Sequence, residues 1–180
     1  MPEVKVWRCL ICGDTYIGTE RPSQCPFCGS HESNIVQSDC YPLDINEVEV
    51  TDAERADIVQ AMEMEIENAT LYALMGAKGN HNDLLPSAYR AFKKVEMEHL
   101  EVFAKLLKVE PPSQPEHPVA LGETWSDDIA LSDSQEHGAR DFYRVAGDRA
   151  TTPRVRQVFL AISEVENDHI IVDAYLKTLA

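Results

Sequence analysis

From residue 51 onward, apolar positions recur every three to four residues; before it they do not. Ile58, Met62, Glu65, Ala69, Tyr72 and Gly76 fall on one stripe of a helix that Thr51 opens, with Glu54 three residues on completing a capping box. Stretches near residues 86–108, 127–147 and 153–179 repeat the period, and Pro86 and Pro153 stand where a first helical turn tolerates proline. The first and second helices, and the third and fourth, are joined by short links. The second and third are joined by about twenty residues that carry Pro111, Pro112, Pro115 and Pro118. Short, long, short predicts a mainly α fold, a four-helix bundle with one long crossover, over residues 43–180.

Residues 1–42 read differently and form a separate small unit. Cys9 and Cys12 are separated by two residues, as are Cys25 and Cys28, with twelve residues between the pairs. Two such loops brought together give a tetrahedral four-sulfur site. Gly13 and Gly29 follow the pairs, and each loop must curl so that backbone N–H groups point at sulfur, a turn that often needs positive φ. Soft thiolates suit zinc and iron alike, so the spacing leaves the metal open. Trp7, Tyr16 and Phe27 are expected to supply a small aromatic core. A unit this size cannot bury enough surface alone, so the metal must contribute much of its stability. Cys40 lies outside the pattern and reads as a linker residue.

The helical part contains an internal repeat. Glu65 and Tyr72 are seven residues apart, as are Glu136 and Tyr143, with Gly76 and Gly147 four residues further on. Residues 91–100, AFKKVEMEHL, align without gaps to residues 161–170, AISEVENDHI. Each half thus carries Glu, Tyr, then Glu-x-x-His. Glu96 with His99, and Glu166 with His169, are i, i+3 pairs that share a helix face. Glu65 and Glu136 fall on apolar stripes, where a carboxylate is costly unless something compensates it. Four glutamates and two histidines converging in a bundle core are the ligand set of a di-iron or di-manganese carboxylate site. The charge agrees, since four carboxylates balance two divalent cations. Tyr72 and Tyr143 pack in the core and are placed to hydrogen-bond a ligand carboxylate. Glu63, Glu67, Glu98, Glu101 and Glu164 fall off the stripe and read as surface charge. His31, His81, His117 and His137 are assigned no role. Pairing Asp133 with Glu136 instead would break the repeat, so the symmetric six-ligand site is preferred.

The chain of 180 residues has 31 acidic against 16 basic side chains and a formal net charge of -15. That excludes a general nucleic-acid or anionic-membrane binder, which needs clustered Lys and Arg. No segment approaches the roughly 20 apolar residues of a membrane span, and the first residues lack a signal-peptide run. A cytoplasmic protein is expected, and in a reducing compartment its cysteines point to metal before disulfide.

The residues WRCLICGDTY and CPFCG resemble a shortened rubredoxin, and joined to a ferritin-like bundle with two Glu-x-x-His motifs the whole resembles a rubrerythrin, with the domain order of the reverse rubrerythrins. The resemblance implies a cytoplasmic peroxidase of oxidative-stress defence. Its di-iron centre, on Glu65, Glu96, His99, Glu136, Glu166 and His169, reduces hydrogen peroxide to water. One iron on Cys9, Cys12, Cys25 and Cys28 feeds it electrons from a reductase or a rubredoxin. It implies a homodimer or larger homo-oligomer in which the cysteine iron of one chain serves another chain's bundle. The chain departs from the family at Ala139, which stands where typical rubrerythrins carry an extra glutamate. That departure implies a less mobile metal pair, with less preference for peroxide over dioxygen. The alternative is a ferroxidase-type, iron-handling protein with a structural zinc ribbon.

Overall fold

The computed structural model describes residues 3–79, 83–112 and 119–180; His81, His117, Pro115 and Pro118 lie outside them. Strands β1 (Lys5–Cys9), β2 (Thr15–Gly18) and β3 (Ile35–Gln37) form an antiparallel sheet in the order β2-β1-β3. Trp7 lies opposite Tyr16 on β2 and Gln37 on β3. Four helices follow: α1 (Asp52–Ala77), α2 (Leu84–Leu107), α3 (Trp125–Arg149) and α4 (Pro153–Leu176). The expected mainly α architecture, with a small N-terminal module, is the one observed.

The helix ends follow local chemistry. Thr51 accepts a hydrogen bond from Glu54 N–H at 3.2 Å, and the Glu54 carboxylate accepts from Thr51 N–H at 2.8 Å, so the capping box forms as read. Thr124 and Asp127 make a second box at α3, which begins two residues earlier than the periodicity indicates. Pro153 is the first residue of α4 and Pro86 the third of α2, so both prolines lie in a first turn, as read. Lys108 ends α2 in the left-handed region at φ 56°. α1 packs along α2 and α3 along α4, as short links between antiparallel neighbours require. Gly76 and Gly147 occupy equivalent sites: a Cβ would meet Arg90 Cγ at 2.7 Å in one hairpin and the Leu160 side chain at 2.8 Å in the other. The repeat thus preserves the helix spacing.

The small module has no aromatic core of its own. Phe27 is 38% exposed and Trp7 and Tyr16 are only half-buried. Instead Ile11, Ile35 and the four cysteines belong to one apolar core with Phe103, Phe159 and Ile162 of the bundle. A sheet this small cannot enclose its own hydrocarbon, so it shares the bundle's.

Candidate metal centres

Cys9 and Cys12 close one loop, Cys25 and Cys28 the other, and one ligand atom from each lies within 4.8 Å of the rest. Cys9 and Cys28 Sγ are 3.7 Å apart, as are Cys12 and Cys25 Sγ. A tetrahedron with metal–sulfur bonds of about 2.3 Å has edges of about 3.8 Å, so the thiols fit one metal ion. Gly13 at φ 90° and Gly29 at φ 73° provide the turn that the sequence demands there. The loops aim Ile11 N–H at Cys9 Sγ (3.3 Å) and Asp14 N–H at Cys12 Sγ (3.4 Å). Hydrogen bonding among the four thiols draws Cys9 and Cys25 below the ordinary range and pushes Cys12 and Cys28 above it, so the cluster shares protons that a bound metal would displace. Cys40 stands apart and exposed.

In the bundle the six expected side chains meet. Glu65, Glu96, His99 and Glu166 form one cluster and Glu96, Glu136, Glu166 and His169 another, so Glu96 and Glu166 belong to both. Glu65, Glu96, Glu136, Glu166 and His99 are fully buried, and His169 is 5% exposed. His99 Nδ1 lies 3.2 Å from Glu166 and 3.3 Å from Glu96; His169 Nδ1 lies 3.1 Å from each of them. Glu65 Oε2, Glu136 Oε2, both carboxylate oxygens of Glu96 and Glu166, and Nδ1 of both histidines make no hydrogen bond. Buried polar atoms are normally satisfied, and orphans converging from four helices fit a pair of cations shared through Glu96 and Glu166. Asp133 is not among them: it faces His137, whose Nδ1 meets its backbone carbonyl at 2.8 Å. Ala139 is fully buried, and its methyl group offers no ligand.

The electrostatics follow from burial. Desolvation pushes the Glu65 and Glu136 carboxyls well up, toward the neutral form. For Glu96 and Glu166 desolvation acts the same way but is outweighed by the two histidines, which hold both carboxyls low. Burial opposes charge on His99 and His169, yet the carboxylates around them, Glu65 and Glu136 foremost, raise both rings above the usual imidazole range, so Glu65 with His99 and Glu136 with His169 each share a proton.

Both tyrosines reach across the bundle. Tyr143 on α3 donates to Glu65 on α1 at 2.8 Å, and Tyr72 on α1 donates to Glu136 on α3. Each therefore braces the glutamate of the other helix rather than that of its own. Among the off-stripe residues Glu63, Glu67, Glu101 and Glu164 are exposed as read. Glu98 differs: its side chain is 18% exposed, and burial raises its carboxyl.

The two centres adjoin within one chain. His99 Nε2 lies 2.9 Å from the Cys28 carbonyl oxygen, which directs its Nδ1 at the carboxylates. Arg154 donates to the carbonyls of Leu10 (2.7 Å) and Ile11 (2.9 Å), and Lys105 to that of Cys12 (3.1 Å). His31, unassigned from sequence, meets Asp168 at 2.7 Å, and Gln24 donates to the same carboxylate at 2.6 Å. Sequence reasoning missed this seam because no periodicity marks a contact between a loop and a distant helix. It also missed Tyr89, Ser132 and Asp173, buried polar residues beside the site that only a comparison of the two repeats sets apart.

Fold and side chains together define a four-thiol module seated on a helical bundle with a buried carboxylate–histidine cluster. Residues 7–34 are similar to the rubrerythrin, rubredoxin-like domain, the family whose pattern they match. Comparison with curated proteins and with solved structures gives no match. Among the described residues no helix is long and apolar enough to cross a membrane.

Proposed function

We propose that the chain is a non-haem di-iron peroxidase, an oxidoreductase that reduces hydrogen peroxide to water with electrons passed through the four-cysteine site. Glu65 with His99 would hold one iron ion, Glu136 with His169 the other, and Glu96 and Glu166 would be shared between them. When bound, the iron pair supplies the two electrons that cleavage of the O–O bond requires. The protein's part is to exclude bulk water, fix both histidine rings and brace two carboxylates with tyrosine hydroxyls.

The observation that carries this reading is the 2.9 Å contact between His99 and the Cys28 carbonyl, which joins the two ligand sets directly. An iron-handling protein with a structural zinc ribbon has no need of such a contact. The expected electron donor is a reductase or a rubredoxin, and the expected assembly a homodimer or larger. The seating of the module on its own bundle supports electron delivery within one chain, beside the exchange between chains that the resemblance implies.

Elemental analysis of anaerobically prepared protein should find one iron in the cysteine site and two in the bundle. Mixing reduced protein with peroxide, and separately with dioxygen, should oxidise both centres at least about tenfold faster with peroxide. Fewer than two bundle metals per chain sinks the di-iron reading. Faster oxidation by dioxygen with ferric product accumulating would favour the ferroxidase.

A further inference from the structure

One half of the bundle carries a hydrogen-bonded chain that its repeat lacks. Ser132 Oγ lies 2.5 Å from Asp173 Oδ2 and 3.1 Å from Tyr72 Oη, and Tyr72 donates to Glu136 Oε1. Tyr89 donates to Asp173 Oδ1 at 2.6 Å. Ser132, Tyr72, Tyr89 and Glu136 are fully buried and Asp173 is 1% exposed. Superposing the repeats by sequence puts Ala61 in place of Ser132, Phe159 in place of Tyr89 and Phe103 in place of Asp173. There Phe103 packs on Phe159 at 5.1 Å and on Tyr143 at 5.6 Å between ring centroids. The fold therefore closes that corner with hydrocarbon in one half, so packing alone does not account for a buried acid in the other.

We propose that Asp173, Ser132 and Tyr72 form a proton relay that feeds the Glu136 side of the bundle site, a role that rests on the peroxidase reading. Reduction of one peroxide to two waters consumes two protons with its two electrons, and a site sealed from water must import them. The donors fix the polarity. With Asp173 protonated, its O–H can donate to Ser132, Ser132 to Tyr72 and Tyr72 to Glu136, an unbroken run of O–H···O bonds. With Asp173 ionised, Ser132 turns to donate to it and the run is broken.

In one passage the O–H bond at Asp173 breaks and one forms at Ser132. The Ser132 proton passes to Tyr72 and the Tyr72 proton to Glu136, so both hydroxyls end neutral and no electron moves. Burial, the largest influence on Asp173, raises its carboxyl to about 6, against the lowering effect of Ser132, Tyr89 and His169. The groups facing it are Tyr89 from α2, Ser132 and Asp133 from α3, Tyr72 from α1 and His169 on its own helix. Asp133, 45% exposed, raises Asp173 further and marks the side from which solvent protons recharge it.

The test uses iron-loaded protein and two variants on different helices. Asp173→Asn keeps size and shape, and Ser132→Ala installs the residue found at Ala61. Both should load three irons per chain with unchanged visible spectra, yet be oxidised by peroxide about tenfold more slowly at pH 5, where Asp173 of the wild type is protonated. The wild-type rate should fall as pH rises through about 6; Asp173→Asn should lose that inflection and Asp173→Glu should restore it. Independently of turnover, the infrared difference spectrum on oxidation should show loss of a protonated carboxyl in wild type. Asp173→Asn should lack that band, and in Ser132→Ala it should not respond. Normal loading with unchanged rates, pH profile and carboxyl band in both variants would overturn the relay and leave the di-iron reading standing. Failure of wild type itself to load the bundle would overturn both.

Discussion

Glu65 and Glu136 show what a single buried residue asks of its surroundings. Each carboxyl, in a fully buried position, has one oxygen on a tyrosine and the other left to face the cluster. Asp173 is the other case, a buried acid whose partners are all hydroxyls. Its carboxyl titrates at about 6 when folded, against about 3.9 in an unfolded chain. Between those values the folded chain keeps a proton that the unfolded chain has lost. Its contribution is therefore fully present below pH 4 and is lost as pH rises from about 4 to about 6. About two pH units correspond to roughly 3 kcal/mol. In metal-stripped protein, urea midpoints should show Asp173→Asn gaining by about that amount relative to wild type between pH 4 and pH 7. A constant difference across that range would show that Asp173 is already ionised at pH 4.

At the scale of elements, one carboxylate joins two helix starts. Glu54 caps α1 through Thr51, and its side chain also accepts from Thr151 N–H at 2.9 Å and Thr152 N–H at 2.7 Å, where α4 begins. Burial would raise this carboxyl, but the hydrogen bonds from Thr152 and Thr51 prevail and bring it down to about 2. A depressed value contributes stability above the ordinary glutamate range and loses it as pH falls from about 4.5 to about 2. Glu54→Gln should cost about 2 kcal/mol at pH 7, the weight of hydrogen bonds to a charged group, and almost nothing at pH 2. Chemical unfolding at the two pH values checks this, and an equal loss at both would contradict it.

For the whole molecule, the seam between module and bundle sets how closely the two ligand sets approach. Gly29 lies on this seam, at φ 73° with a would-be Cβ 2.7 Å from Val165 Cγ1. Gly29→Ala should lift the Cys28 loop from α4, lengthen the Cys28–His99 contact and slow electron exchange between the centres, while leaving four thiols to bind metal. Rapid-mixing spectroscopy that finds unchanged exchange would show that the seam tolerates the methyl group. Metal loading has its own signature. Burial pushes Glu65 and Glu136 toward the neutral form, while carboxylates push His99 and His169 toward the charged form, so each Glu–His pair holds a proton that a divalent cation must displace. Titrating ferrous iron into weakly buffered protein at pH 7 should release protons in step with filling of the bundle site. Release near zero would mean that the histidines are neutral and the glutamates ionised beforehand.

Much of this was legible in the linear chain. Cys9, Cys12, Cys25 and Cys28 lie in two loops, and a loop's ligand geometry depends on a few adjacent torsions. Glu96–His99 and Glu166–His169 share a helix face because 3.6 residues make a turn, and the repeat supplied the pairing with Glu65 and Glu136. Beyond a helix's own period the sequence is silent. That Tyr72 crosses to Glu136, and Tyr143 to Glu65, depends on how α1 and α3 rotate against each other. That Ser132 meets Asp173, or Cys28 meets His99, depends on which faces pack once each hairpin has closed. Spacing along one element is fixed by backbone geometry, whereas contact between elements is chosen by the packing of the whole core, and only the tertiary structure decides it.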